Sequence, residues 1–250
     1  MKIQACVFYY QKFLNPLLKW KILDTKSLME MSNYQGSYIS FCEMLRNLKS
    51  KDLVHWEPLL YNKKRIIYLT HAAQKELLPG SPYFIDSEIM FHDAIVSNTA
   101  RSFLGKDYFY DCELPHEYYG KNNWNYADVL DPDGILYGKN KNYFFKIALE
   151  VELTRKSKER IERKIKDYIR SEFFDSVIYV FNKKNIFNAY IKYLNEIQDN
   201  APNELYKKGI NQKIFLLLKE DLFKYPLDFS HCPLYVNQQE RKFSEVIHAI

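Results

Sequence analysis

Residues 128–136 read Asp-Val-Leu-Asp-Pro-Asp-Gly-Ile-Leu, and residues 144–154 read Phe-Phe-Lys-Ile-Ala-Leu-Glu-Val-Glu-Leu-Thr. Between them runs Tyr137-Gly138-Lys139-Asn140-Lys141-Asn142, which has the chemistry of a hairpin turn. Two apolar strands are expected, roughly 126–136 and 142–153, with Pro132-Asp133 at the head of the first apolar run and Glu150-Val151-Glu152 near the end of the second. Strand residues two apart share a face, so Glu150 and Glu152 project together and Val151 turns into the core. The hairpin folds the Glu pair back beside Asp133. Three carboxylates on adjacent strands suit a hard divalent cation, magnesium or manganese. Against this stands simple abundance, since the chain has 31 acidic residues. In favour stands the run before Glu150, apolar from Tyr143 to Leu149 except for Lys146, because a carboxylate that continues a buried strand needs a partner.

A basic segment follows, with eight Lys or Arg residues between Arg155 and Arg170. Ile161, Ile165, Tyr168 and Ile169 form the apolar face of an expected helix. Its N-terminus would lie next to the carboxylates, where Arg155 or Lys156 could meet a phosphate.

The 250 residues allow one large domain or two small ones. With 47% hydrophobic and 16% aromatic residues, a sizeable core is feasible and disorder is not expected. The net charge of +5 permits nucleic-acid binding without proving it, and the basic residues cluster at 46–51, 63–65 and 155–170. The four cysteines form no CxxC pair, which argues against structural zinc and for buried thiols in a cytoplasmic protein. No apolar run reaches the roughly 20 residues needed to span a membrane, so no membrane insertion is expected.

Outward from the acidic stretch, the first 80 residues form a separate pattern. A helical pattern in 1–20 is interrupted near Asn15-Pro16. Asp24 or Thr25 caps a short helix through Met31, and Ser37 or Tyr38 opens another that ends with Arg46 and Lys49. A hairpin with a basic tip at Lys63, Lys64 and Arg65 follows, and Thr70 caps a helix over 71–78. This order reads as a winged helix-turn-helix, in which the second helix enters the major groove and the wing touches backbone. Arg46, Lys49, Lys63, Lys64 and Arg65, with Arg155 and Lys156, are the DNA-binding candidates. The alternative is a module that only packs against a partner.

Pro79-Gly80-Ser81-Pro82 is the candidate boundary between a domain over 1–80 and another over 86–250. Beyond it, Ser87 caps a helix over 88–104 that carries His92, and a strand is expected over 107–114. Residues 115–125 read as a polar, aromatic loop. Later come a buried strand at 176–181, a helix over 185–197, a polar connector over 198–209 and a strand at 213–218. An amphipathic helix starts at 240 with no stop signal, so the chain could continue in a longer protein. The expected class is α+β (α/β), with a mixed sheet covered by helices.

With these elements in order, Pro132-Asp133 followed by Glu150-Val151-Glu152 resembles the PD-(D/E)xK nuclease superfamily, whose core is a restriction-endonuclease-like sheet. The whole chain is similar to the replication-relaxation family and its MobC-type plasmid relaxases. The features that carry the likeness are the winged helix ending in Leu69-Thr70, the helix with His92, the Pro-Asp and Glu-x-Glu strands, and the Lys-x-x-x-Tyr pattern of Lys164 and Tyr168. The resemblance implies a metal-dependent endonuclease that nicks plasmid DNA at a transfer origin to start mobilisation. Its partners would be double-stranded and nicked plasmid DNA, an accessory mobilisation protein and a coupling protein. It also implies Asp133 and Glu150 as ligands of magnesium or manganese. Glu152 stands where the superfamily has its lysine, so Glu152 becomes a third ligand or a base and Lys164 supplies the missing cation. His92 and Tyr168 are further candidates for the site.

Three rivals remain open. A degenerate nuclease fold would bind DNA without cutting it. A restriction-type enzyme would form a symmetric dimer on palindromic sites. Attack by tyrosine rather than water also stays possible. A relaxase of the histidine-cluster type is disfavoured, because histidines 55, 71, 92, 116, 231 and 248 are scattered.

Overall fold

The computed structural model describes residues 3–58, 64–78, 83, 85–86, 88–118, 130–140 and 143–246. The chain divides into two compact units, Met1–Ser97 and Asn98–Ile250. The division falls inside one helix, and the expected boundary at Pro79–Pro82 lies outside the described residues.

Unit 1 begins with α1 (Ile3–Trp20), β1 (Ile22–Asp24), α2 (Thr25–Met31) and α3 (Tyr38–Ser50). It continues with β2 (Val54–Pro58), β3 (Arg65–Leu69) and α4 (His71–Leu77). The expected caps are in place. Asp24 accepts from the N–H groups of Lys26 and Ser27, Ser37 from that of Ser40, and Thr70 from that of Ala73. Residues 1–20 correct the expectation, because α1 runs through Pro16 without a break. Its buried stripe of Phe13, Leu14 and Leu17 flanks the proline, and that burial outweighs the one N–H that proline lacks. The strands form an antiparallel sheet in the order β1-β3-β2, with β1 an unexpected third member. The tip residues 59–63, including Lys63, lie outside the described residues.

Helix α5 (Met90–Leu104) spans the division between the units; Ser87, its expected cap, is not among the described residues. Unit 2 then runs β4 (Phe109–Glu113), α6 (Pro115–Tyr118), β5 (Gly134–Asn140), β6 (Tyr143–Glu152), α7 (Lys158–Arg170) and β7 (Ser176–Phe181). It ends with α8 (Lys184–Asp199), α9 (Glu204–Lys213), β8 (Ile214–Leu218), β9 (Pro233–Val236), β10 (Gln239–Lys242) and α10 (Phe243–Val246). Seven strands make one mixed sheet in the order β10-β9-β8-β7-β6-β5-β4. The pairs β6–β7 and β7–β8 are parallel and the other pairs antiparallel. The fold is therefore mixed α+β, built around a meander, a crossover helix and a parallel strand.

Four expectations shift in unit 2. The Tyr137–Asn142 turn is mostly strand, since β5 continues to Asn140 and β6 resumes at Tyr143. Gly138 serves there as the partner of Phe145, whose ring lies 2.0 Å from where a Cβ would stand. Pro132-Asp133 stands at the head of its strand as expected, with β5 starting at Gly134, and residues 126–129 of the expected span lie outside the described residues. Residues 115–118 are helical, and the supposed connector over 198–209 holds most of α9, capped by Asn203 on the N–H of Tyr206. In the expected C-terminal helix over 240–250, residues 240–242 are strand paired with β9, 243–246 form the short α10, and 247–250 lie outside the described residues.

One face of the sheet packs Ile135, Ala148, Val177, Tyr179, Phe181 and Leu216 against Ile161, Ile165 and Tyr168 of α7 and Phe187, Tyr190 and Leu194 of α8. Leu136, Ile147, Leu149 and Val151 are also buried. Within unit 2, Phe103 stacks on Phe229 with ring centroids 4.5 Å apart. Cys6, Cys112 and Cys232 are buried and Cys42 is half-buried, all as free thiols. No helix among the described residues is long and apolar enough to cross a membrane.

Candidate acidic active site

Strand β6 is buried along its whole second half, so the alternation of its side chains decides where its charges point. Ala148 faces α7 and α8, and Glu150 and Glu152 follow on that same face. Both carboxylates are deeper than charged side chains usually lie, with 2% and 7% of their surface exposed. Leu149 pairs with Gly134, which places Asp133 opposite the Glu150 end of the strand. The Oδ2 atom of Asp133 accepts the Val151 N–H at 2.7 Å, which ties the loop before β5 to the end of β6. The Tyr118 hydroxyl donates to the Pro132 carbonyl and fixes the same loop from α6.

Helix α7 brings the counter-charge. Lys164 lies three residues after Ile161 and four before Tyr168, so it shares the buried stripe. Its Nζ is 2.7 Å from Oε2 of Glu150 and 3.3 Å from the Asp131 carbonyl. The Tyr168 hydroxyl donates to Oε1 of Glu150. At the outer end of the row, Lys156 Nζ stands 3.9 Å from Oε2 of Glu152, and the Tyr190 hydroxyl donates to the same carboxylate. Tyr179 pairs with Glu150 across the parallel strands, and its buried hydroxyl has no hydrogen-bond partner among the described residues.

The electrostatics follow from this depth. Burial pushes the Glu150 carboxyl up to about 8; Lys164 pulls the other way and the Asp133 charge adds to the rise. Glu152 is raised for the same first reason, eased by Lys156 and the Tyr190 hydrogen bond. Burial works to lower the pKa of Lys164, but the charge and hydrogen bond of Glu150 outweigh it and hold the ammonium above its ordinary range. Burial and the Glu150 charge drive the Tyr168 hydroxyl well upward.

Asp133, Glu150, Glu152, Lys164 and Tyr168 are thus neighbours. Lys156 reaches the row at Glu152, while Arg155 lies over the Tyr193 ring and donates to its hydroxyl. His92 belongs to unit 1, where its neighbour Asp93 holds Lys21 at 2.6 Å. In unit 1, Lys49 lies 4.3 Å and Arg65 5.8 Å from the centre of the Trp56 ring, and Arg46 is exposed on α3. Two members of the acidic site were not foreseen. Tyr179 and Tyr190 sit on β7 and α8, and only the apolar periodicity of those elements hints that they face inward.

The chemistry of the donor set suits a hard cation. It offers oxygen ligands, a buried carboxylate whose charge is under-compensated, and an orphaned buried hydroxyl. Yet Lys164 and Tyr168 take both oxygens of Glu150. Among the described residues no three His, Cys, Asp or Glu side chains converge as a metal cage.

No protein-family model matches the chain, and the search of curated proteins finds no match. A solved structure of the restriction endonuclease FokI superimposes with a TM-score of 0.26 at 11% identity, over 80% of this chain and 43% of that one. This chain therefore spans less than half of that protein, and so loose a superposition carries no weight on fold or activity.

Proposed function

We propose that the chain is a metal-dependent DNA endonuclease that nicks plasmid DNA in the manner of a relaxase at a transfer origin. The observation that carries the reading is the Glu150–Lys164 contact of 2.7 Å, deep at the end of β6 and beside Asp133. It sets a lysine from the following helix where the strand itself offers Glu152. Asp133, Glu150 and Glu152 would hold magnesium or manganese once Glu150 exchanges Lys164 for the ion. Such an ion supplies Lewis acidity and a reactive water for phosphodiester cleavage. Lys164 would steady the phosphate. Tyr168 and Tyr190 keep their carboxylates oriented from behind. Unit 1, with its helices, antiparallel sheet and basic hairpin, serves as a winged helix that grips duplex DNA through Arg46, Lys49, Lys64 and Arg65. The plasmid-mobilisation part rests on the order of motifs given above.

The test is conversion of a supercoiled plasmid carrying a candidate transfer origin to open circles, with magnesium or manganese and with EDTA as control. Metal-dependent nicking is the expected result. A plasmid that is bound but never nicked would favour the second reading, a DNA-binding protein on a degenerate nuclease fold. One observation supports that alternative, namely that both Glu150 oxygens are already occupied by side chains.

A further inference from the structure

Opposite the carboxylate row of β6 runs a row of cations. Lys156 lies just before α7, and Arg160 and Lys164 follow at intervals of four, so they succeed one another along one side of the helix. The two outer members are committed, Lys164 to Glu150 at 2.7 Å and Lys156 to Glu152 at 3.9 Å. Arg160 is exposed, and its side chain makes no ion pair or hydrogen bond with a described residue. It nevertheless stands one helical turn before Lys164, on the side of α7 that carries Lys164 to Glu150.

A guanidinium keeps its charge at any working pH and presents a flat fork of donors that matches two phosphate oxygens. Lys164 and Lys156 offset the carboxylates, whereas Arg160, between them along the helix, leaves that fork uncommitted. We propose that Arg160 is the phosphate-gripping residue of this site, its N–H groups donating to the non-bridging oxygens of the bound phosphodiester. The assignment rests on the nuclease reading for its role in cleavage, but the phosphate contact is measurable without cleavage.

Two measurements on the full chain separate the claims. The first is binding of a labelled DNA duplex across a salt series, for wild type, Arg160→Ala, Arg160→Lys and Arg170→Ala. The second is plasmid nicking by the same proteins and by Glu150→Ala. Loss of one phosphate contact lowers the salt slope by about 0.9 and the affinity on the order of tenfold. Arg160→Ala is expected to show that drop and to slow nicking by roughly ten- to a hundredfold. Arg160→Lys should keep the slope and recover nicking only in part, because the charge survives and the fork does not. An unchanged slope in Arg160→Ala, with nicking intact there and abolished in Glu150→Ala, overturns the Arg160 assignment and leaves the nuclease reading standing. An equal loss in Arg160→Ala and Arg170→Ala marks a general charge effect and also overturns it. A lowered slope specific to Arg160→Ala in a protein that never nicks supports the phosphate contact and overturns the nuclease reading.

Discussion

Two groups of basic residues, Lys49 and Arg65 in unit 1 and Lys156, Lys158 and Lys164 in unit 2, are held in different ways. In unit 1, Lys49 and Arg65 converge on the Trp56 ring and make no ion pair with a described residue. In unit 2, Lys164 and Lys156 offset buried carboxylates, and Lys158 is held by Glu196 at 2.5 Å. A run of lysines and arginines in a sequence thus has two meanings. Stacked on an aromatic ring at an open surface, it keeps its charge for a polyanion. Set against buried acids, it neutralises its own protein and is available to a ligand only by exchange.

Substitutions at the acidic row should break this contrast most sharply. Asp133→Ala, Glu150→Ala and Glu152→Ala are each expected to lower plasmid nicking on the order of a thousandfold while duplex affinity stays within about twofold of wild type. A fall in DNA binding as large as the fall in nicking would merge the two roles. Next in size are Lys49→Ala and Arg65→Ala. Each should lower the salt slope of duplex binding by about 0.9, a change read by anisotropy, and leave the rate of the bound complex alone.

Stability should also depend on pH through Glu150. The folded Glu150 holds its proton up to about 8, whereas the unfolded carboxyl releases it near its ordinary value of 4.5. The native state therefore binds more protons across that window. Its contribution is fully present below about 4.5 and is lost as pH rises through about 8. Urea midpoints of the metal-free protein should fall over this range, and Glu150→Gln should flatten the fall. A midpoint that rises in wild type would place the ionised form, not the protonated one, in the folded site. The smallest effect expected is that of Tyr168→Phe. It removes one donor from Glu150 and should cost roughly 1 kcal/mol in urea unfolding.

The acidic row was legible because both of its signals are local. Alternation placed Glu150 and Glu152 on one face, and apolar spacing marked Ile161, Ile165 and Tyr168 as the buried side of the next helix, while Lys164 entered only through the Lys-x-x-x-Tyr likeness. The caps Asp24, Ser37 and Thr70 were legible for the same reason. What stayed hidden depends on distant neighbours. Tyr190 meets Glu152 across 38 residues, and nothing near either residue announces it. Helix α9 fully buries only Ile210, so its sequence reads as a polar connector. Strand β10 is exposed at every position and owes its form to pairing with β9, a contact that periodicity cannot express. The apolar run before Glu150 announced a buried strand, but the elements that close over it, α7, β7 and α8, were not readable from that run.

The central claim is that the row around Glu150 is a cation site now held by Lys164. Calorimetric titration of the DNA-free protein with manganese tests it most directly, run at pH 6.5 in two buffers of different ionisation heat and repeated with Glu150→Ala. The account predicts saturable binding accompanied by proton release, since Glu150 must ionise to accept the ion, and loss of both in the variant. Binding that persists unchanged in Glu150→Ala, or no binding to the wild-type protein, would contradict it.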